Sequence, residues 1–142
     1  MEELDHQALD RVAAMETAPY ILDFFSKSCG PCATMKVVLQ SFKAHNPQIG
    51  VYTVDVEKNG EIAQVFGVRG VPTLAFCQGR EVLFTKVGVT SEMELLHIYQ
   101  SLQSSYFQET GEVPPLKMQR DMLFAALVTS LILIFIFLII FI

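Results

Sequence analysis

The sequence has few of the side chains that hold metals or build disulfide frameworks. It contains three cysteines and three histidines in 142 residues, and the histidines are scattered singly. A structural zinc site needs four ligands, and one Cys-x-x-Cys pair without a second one does not supply them. Three cysteines fit redox chemistry better than a structural framework. The sequence therefore argues against a zinc protein and against a disulfide-stapled fold.

Positive charge is scarce before the C-terminal end. Residues 1–116 contain 8 Lys and Arg against 14 Asp and Glu. Such an acidic domain argues against nucleic acid or an anionic membrane surface as its partner. No internal repeat is visible, and the first residues, Met-Glu-Glu-Leu-Asp-His, are acidic and lack an apolar run. We therefore expect one folded domain and no cleavable signal peptide.

Charge is absent from the C-terminal end. Residues 122–142 have Thr129 and Ser130 as their only polar side chains. As a helix, these 21 residues span roughly 31 Å, close to the ~30 Å hydrocarbon core of a bilayer. A buried core helix would keep a polar stripe, which this segment lacks. The sequence therefore predicts a transmembrane helix over residues 121–142.

The charges beside this segment predict its orientation. Lys117 and Arg120 lie just before it, and no residue follows Ile142 in the sequence. The positive-inside rule then places the N-terminal domain on the cytoplasmic side of a single-pass, tail-anchored membrane protein. Two charges give a modest asymmetry, so the reversed topology, with an extracytoplasmic thiol enzyme, stays open as an alternative.

Apolar periodicity before the anchor predicts alternating helices and strands. The predicted order is α, β, α, β, α, β, β, α, which indicates an α/β fold with a mixed sheet and helices on both faces. The predicted ranges are helix 3–16, strand 20–25, helix 33–43, strand 51–56, helix 60–66, strand 72–77, strand 80–87 and helix 91–106. A polar segment with Gly111, Pro114 and Pro115 follows. The predicted units are a domain over 1–106, a linker over 107–120 and the anchor over 121–142.

The stretch Cys29-Gly30-Pro31-Cys32 lies at the junction between the first predicted strand and the next helix. Backbone N–H groups at a helix N-terminus favour an anion, so Cys29 is predicted to be the exposed attacking thiolate. Cys32 lies three residues later, on the same helical face and within disulfide reach, and is predicted to resolve the mixed disulfide. Pro31 fits the first helical turn without wasting a hydrogen-bond donor.

These motifs together resemble the thioredoxin family. The matching stretches are Asp23-Phe24-Phe25, the Cys29–Cys32 motif, Val54-Asp55-Val56-Glu57, Phe66 to Leu74, Gly79 and Gly88. The resemblance covers roughly residues 7–104 and implies the thioredoxin fold and dithiol–disulfide exchange. It leaves out the linker and the predicted anchor.

The resemblance also implies roles for residues around the dithiol. Pro72 resembles the family's cis-proline, whose alternative is an ordinary trans turn proline. Val71, Pro72, Gly30 and Pro31 are then expected to bind the substrate. Asp23 resembles the family's buried carboxylate below the second cysteine, where burial raises its pKa and suits proton transfer with Cys32. The alternative for Asp23 is a strand-end residue that faces solvent or accepts from a backbone amide.

Several positions depart from the family pattern. Ser28 stands where the family usually has Trp, Ala33 where it usually has Lys, and Val37 where it has a helix-kinking proline. Thr53 stands where a Lys commonly neighbours the buried Asp. The family's first short strand is expected to be weak or missing. Cys77, on a buried strand, fits inert packing better than a regulatory thiol.

Taken together, the sequence predicts a membrane-tethered protein-disulfide oxidoreductase, most simply a reductase. It needs no cofactor beyond the Cys29–Cys32 disulfide itself. Its expected partners are protein disulfides close to the membrane and an upstream thiol reductant. The alternative is a membrane-anchored binding module that keeps the fold with little turnover. The replacement of the family's Trp by Ser28 and of its Lys by Ala33 favours this alternative.

Overall fold

The computed structural model describes residues 1–116 and 127–132. Five strands form one sheet in the order β1-β3-β2-β4-β5, with helices packed against it. The elements in chain order are β1 (Glu2–Glu3), α1 (His6–Met15), β2 (Tyr20–Phe25), α2 (Gly30–His45), β3 (Val51–Asp55), α3 (Gly60–Val65), β4 (Thr73–Gln78), β5 (Glu81–Val87), α4 (Glu92–Leu102) and α5 (Ser105–Thr110). The predicted mixed α/β sheet is thus confirmed.

The central strand β2 explains the topology. All of its residues except Phe25 are buried, as expected for a strand covered on both faces. It pairs parallel with β3 and antiparallel with β4, and β1 and β5 form the two edges. Because parallel strands need a crossover, α2 connects β2 to β3 across one face.

Two apolar clusters lie on the two faces of the sheet. One joins α2 and α4 to the sheet through large side chains that include Met35, Phe42 and Phe76. The other joins α1 and α3 to the opposite face and includes Phe24 and Cys77. The sheet is therefore held from both sides, and the residues at the end of β2 emerge between two packed layers.

The chain departs from the predicted elements at both ends of the domain. A two-residue strand, β1, precedes α1; so short a strand fits the expectation that the first strand is weak or missing, but the predicted order began with a helix. It pairs parallel with β3 through Glu2 and Glu3, and the Leu4 N–H donates to the Thr53 carbonyl at 2.8 Å. The pattern at residues 3–16 indicated only a helix because two residues are too few to show strand alternation.

The last predicted helix is divided in two. Helix α4 ends at Leu102, and Ser104 caps α5 by accepting from the Phe107 N–H at 3.3 Å. The same hydroxyl donates to the Ser101 carbonyl at 2.6 Å. Hydrogen bonds of the Ser104 side chain therefore replace the regular backbone hydrogen bonds of the helix at this point. The apolar period runs on through Tyr106, which is why the sequence predicted one continuous helix.

The first part of the predicted linker packs against the domain. Phe107 and Val113 contact the cluster on the α2 and α4 face. His97 Nε2 lies 2.7 Å from the Pro114 carbonyl oxygen, which requires the ring nitrogen to donate. Residues 107–114 are therefore held on the domain surface.

The predicted anchor falls mostly outside the described residues. Of residues 121–142, the structure describes 127–132, which are helical. Within the described parts of the chain, no helix has the length and apolar character needed to cross a bilayer.

Candidate functional site

Cys29 caps the N-terminus of α2. Its backbone is extended, and its sulfur accepts from the Cys32 N–H at 3.2 Å. The two cysteines are joined as a disulfide, with 5.3 Å between their Cα atoms. Pro31 occupies the first turn, where a missing N–H costs no helical hydrogen bond. The strand-to-helix junction predicted around this motif is present.

The two sulfurs differ in their access to solvent. Cys32 is 4% exposed, whereas Cys29 is only half-buried, and Gly30 and Pro31 beside it are exposed. A partner can therefore approach Cys29 more readily than Cys32. This difference is the one required of an attacking and a resolving thiol.

The peptide bond that precedes Pro72 lies beside Cys29. The Val71–Pro72 peptide bond is cis, as expected, and the trans alternative is wrong. Cys29 Sγ lies 3.6 Å from the Val71 carbonyl oxygen. Pro72 is itself buried, and its carbonyl accepts from the Gly88 N–H at 2.8 Å, while Val71 stays half-buried. The structure thus brings the backbone at Val71 to the more accessible sulfur.

Asp23 is buried in the middle of β2. It is 2% exposed, so the alternative of a solvent-facing strand-end residue is wrong. Its Oδ1 has no hydrogen-bond partner among the described residues, and Thr53 lies opposite it on β3. Burial raises the pKa of Asp23 to about 7, because the interior disfavours the charged carboxylate. Asp23 can therefore gain or lose a proton near neutral pH.

Three side chains hold the loop that precedes Cys29. Glu57 Oε1 accepts from Ser26 Oγ at 2.5 Å and from Ser28 Oγ at 3.1 Å. The two hydroxyl oxygens are 2.8 Å apart, and the Cys29 N–H donates to the Ser26 carbonyl at 3.3 Å. Ser28, at the family's Trp position, thus ties the rim of the site to the loop after β3.

This hydroxyl–carboxylate network has no signal in the sequence. Ser26 and Glu57 are separated by 31 positions, and nothing in the sequence pairs them. Their contact depends on the parallel register of β2 and β3, which aligns Phe25 with Asp55. Only a correct prediction of that strand register could have revealed the network.

A cavity of about 490 Å³ opens beside the disulfide. Asp23, Cys29 and Cys32 line it together, so these three residues border one space. Its other lining residues come from β1, the end of β2, α2 and β3: Met1, Glu3, Phe25, Ser26, Lys27, Ala33, Lys36, Gln40 and Thr53.

Cys77 lies away from this site. It is 1% exposed in β4 and belongs to the cluster on the α1 and α3 face. Burial raises the pKa of its thiol to about 12, so almost no thiolate forms at neutral pH. Cys77 acts as a core side chain. Within residues 1–116 and 127–132, no three His, Cys, Asp or Glu side chains are grouped to bind a metal.

Comparison with known proteins agrees with this geometry. A family model described as "Thioredoxin" matches residues 1–101. A thioredoxin of Buchnera aphidicola subsp. Schizaphis graminum is 32% identical over 94 residues, covering 66% of this chain and 87% of that protein. A thioredoxin of Streptomyces clavuligerus is 35% identical over 78 residues, covering 55% of this chain and 73% of that protein.

Solved structures share the same fold. A chloroplastic thioredoxin z matches with a TM-score of 0.65 and 20% identity, covering 72% of this chain and 94% of that chain. A Malassezia sympodialis thioredoxin matches with a TM-score of 0.63 and 25% identity, covering 70% of this chain and 89% of that one. The family match over residues 1–101 includes all five strands and both cysteines of the dithiol.

Proposed function

Because this chain belongs to the thioredoxin family and is a thiol–disulfide oxidoreductase, we propose that it is a membrane-tethered protein-disulfide reductase. Its dithiol is Cys29-Gly30-Pro31-Cys32. The observation that carries the proposal is the arrangement of the two sulfurs. An accessible Cys29 caps a helix beside the Val71 backbone, and a buried Cys32 is bonded to it.

The proposed reaction begins from the reduced dithiol. The Cys29 thiolate attacks one sulfur of a substrate disulfide and forms a mixed disulfide, and the other substrate sulfur leaves as a thiolate. Cys32 then loses its proton and attacks Cys29 Sγ, which forms the intramolecular disulfide and releases the second substrate thiol. The substrate disulfide is reduced to two thiols, and the dithiol is oxidised.

The surrounding groups support each step. The Cys32 N–H, 3.2 Å from Cys29 Sγ, stabilises negative charge on the attacking sulfur. Asp23 lines the same cavity as Cys32 and has a pKa near 7, so it can accept the Cys32 proton. Val71, Pro72, Gly30 and Pro31 surround Cys29 and are proposed to receive the substrate chain.

The tether places this site near a membrane. The uncharged run over residues 122–142 supports a bilayer anchor. The chain is held on the domain as far as Pro114, and six residues, 115–120, separate Pro114 from the predicted anchor. Six residues span about 20 Å at most. Disulfides of membrane proteins or membrane-associated proteins would then meet the dithiol at raised effective concentration. We propose a cytoplasmic-side domain that an upstream thiol reductant regenerates.

The anchor can be tested by fractionation. We expect the full chain to stay in the membrane pellet after alkaline carbonate extraction, and a chain ending at residue 116 to appear in the supernatant. The double variant Leu131→Arg, Phe135→Arg keeps the full length but adds about 2.5–3.5 kcal/mol of insertion cost per arginine at a helix centre. It should therefore be largely extracted.

Release of the unmodified full chain by carbonate would contradict the tether. Protease protection in intact cells tests the orientation. A domain that is protected in intact cells and digested in lysates is expected, and digestion in intact cells would contradict the cytoplasmic placement.

A further inference from the structure

We propose that the cavity beside the Cys29–Cys32 disulfide binds a small thiol carrying carboxylate groups, which reduces that disulfide. This inference rests on the proposed function, since it names the chemical class of the upstream reductant. The site is distinct from the side of Cys29 that faces Val71 and Pro72, because neither of those residues lines the cavity.

Two short side chains leave room for the cavity. Ala33 and Thr53 line the cavity and stand at positions where the resembled family commonly has lysine. Ala33, Lys36 and Gln40 follow one another at helical spacing, so a single face of α2 forms one wall. The volume of about 490 Å³ falls within the usual range of small-molecule sites, roughly 300–1,000 Å³.

The cavity is positive although the domain is acidic. Lys27 and Lys36 line it, both are exposed, and neither pairs with a carboxylate of the described residues. The one other acidic group besides Asp23, Glu3, is already paired with Lys58 at 2.6 Å. Two unpaired ammonium groups in a domain with an excess of acidic residues favour an anionic ligand.

The buried end of the cavity carries the reactive groups. Asp23, whose buried Oδ1 has no hydrogen-bond partner among the described residues, lines the cavity together with Cys29 and Cys32. A ligand whose carboxylates contact Lys27 and Lys36 would bring its own thiol to the disulfide. Burial raises the pKa of Asp23 to about 7, so its carboxyl is charged less often at neutral pH than an exposed one and repels such a ligand less.

The reaction uses two ligand molecules. The thiolate of the first attacks Cys29 Sγ, the Cys29–Cys32 bond breaks, and Cys32 leaves as a thiolate that takes up a proton. The thiolate of the second attacks the ligand sulfur of the mixed disulfide and releases Cys29. Two ligand thiols are oxidised to one ligand disulfide, and the protein disulfide is reduced to two thiols.

The test compares thiols of different charge on the full chain in neutral detergent micelles. Mercaptosuccinate is the anionic probe, 2-mercaptoethanol the neutral one and cysteamine the cationic one. The rate of dithiol formation is followed by thiol alkylation and mass spectrometry at pH 7. For each variant, the mercaptosuccinate rate is divided by the 2-mercaptoethanol rate, so that the intrinsic reactivity of each thiol cancels between variants.

We expect Lys27→Gln, Lys36→Gln to lower this ratio roughly four- to nine-fold, because each surface cation raises the local concentration of a dianion by roughly two- to three-fold. The ratio of the cysteamine rate to the 2-mercaptoethanol rate should rise in the same variant. Lys86→Gln is the matched control, since Lys86 lies on the β5 edge strand and pairs with Glu94. Ala33→Phe, which fills the cavity without changing charge, should also lower the mercaptosuccinate ratio.

An unchanged ratio in both the lysine variant and Ala33→Phe would overturn the inference. Its failure is separable from failure of the proposed function. If only the small-thiol inference fails, protein reduced by dithiothreitol will still transfer electrons to a protein disulfide. If the proposed reductase function fails, it will not.

Discussion

Replacing Cys32 with alanine is expected to leave Cys29 covalently attached to its clients. In the unmodified protein, the Cys32 sulfur resolves the mixed disulfide from within bonding distance, with 5.3 Å between the two Cα atoms. Groups held in reacting geometry act with effective concentrations of about 10⁵ M or more. External thiols at millimolar concentration are about 10⁸-fold below this value, so release should slow by many orders of magnitude.

The trapped species can be identified directly. Full-length Cys32→Ala protein is expressed in cells, free thiols are blocked, and mixed disulfides are separated under non-reducing conditions. Membrane proteins or membrane-associated proteins are expected in these adducts, and exclusively soluble clients would contradict the tethered function. Cys29→Ser should give no adduct. Cys77→Ser, in the Cys32→Ala background, should trap as before, because the Cys77 thiol is buried with a pKa raised to about 12.

Asp23→Ala is expected to make the protein more stable at alkaline pH. The raised pKa of about 7, against an ordinary value of 3.8, corresponds to about 4 kcal/mol of unfavourable folding free energy when the carboxylate is fully charged. Alanine removes this charge together with the unpartnered Oδ1. After allowance for lost packing, a gain of roughly 2–4 kcal/mol is expected at pH 8.

The pH dependence gives a second and sharper readout. A carboxyl group whose pKa is raised by folding binds its proton more tightly in the folded state. The stability of the unmodified protein should therefore fall as pH rises from about 4 to about 7 and then level off, with a slope of at most ~1.4 kcal/mol per pH unit from this group. In Asp23→Ala that decline should disappear, and the gain in stability should be absent at pH 4.

Asp55→Ala is the matched control for this measurement. Asp55 is equally buried but accepts from the Glu57 N–H at 3.0 Å and lies 3.9 Å from Lys58. Its removal leaves the Glu57 N–H without this acceptor, although Lys58 keeps its pair with Glu3 at 2.6 Å, so destabilisation is expected at pH 8. The measurement is the free energy of unfolding in urea of the unmodified protein and both variants between pH 4 and pH 8. Equal destabilisation by both substitutions at pH 8 would contradict the account of Asp23.

The sequence was sufficient to predict the sheet because its strands are strongly patterned. Tyr20–Phe25 is apolar along almost its whole length, which indicates a central strand, and the structure has a strand with the same bounds. The break between α4 and α5 could not be predicted, because it depends on Ser104 bonding locally rather than on hydrophobic periodicity. Likewise β1 is too short to show any period.

The candidate site likewise has a part that the sequence could predict and a part that it could not. The Cys29–Cys32 pair, the cis bond at Pro72 and the burial of Asp23 follow from local motifs and the family resemblance. The network of Ser26, Ser28 and Glu57 does not, because it depends on strand register. The cavity also could not be predicted, since it needs a face of α2, the ends of two strands and β1 to meet.

Turnover of a protein disulfide by the full chain tests the central claim most directly. Purified protein in detergent micelles, with dithiothreitol as electron source, is expected to reduce insulin disulfides faster than dithiothreitol alone. Cys29→Ser should return the rate to that of dithiothreitol alone. Unchanged turnover in Cys29→Ser, or no turnover by the unmodified chain, would contradict the assignment of Cys29 and Cys32 as the reducing pair.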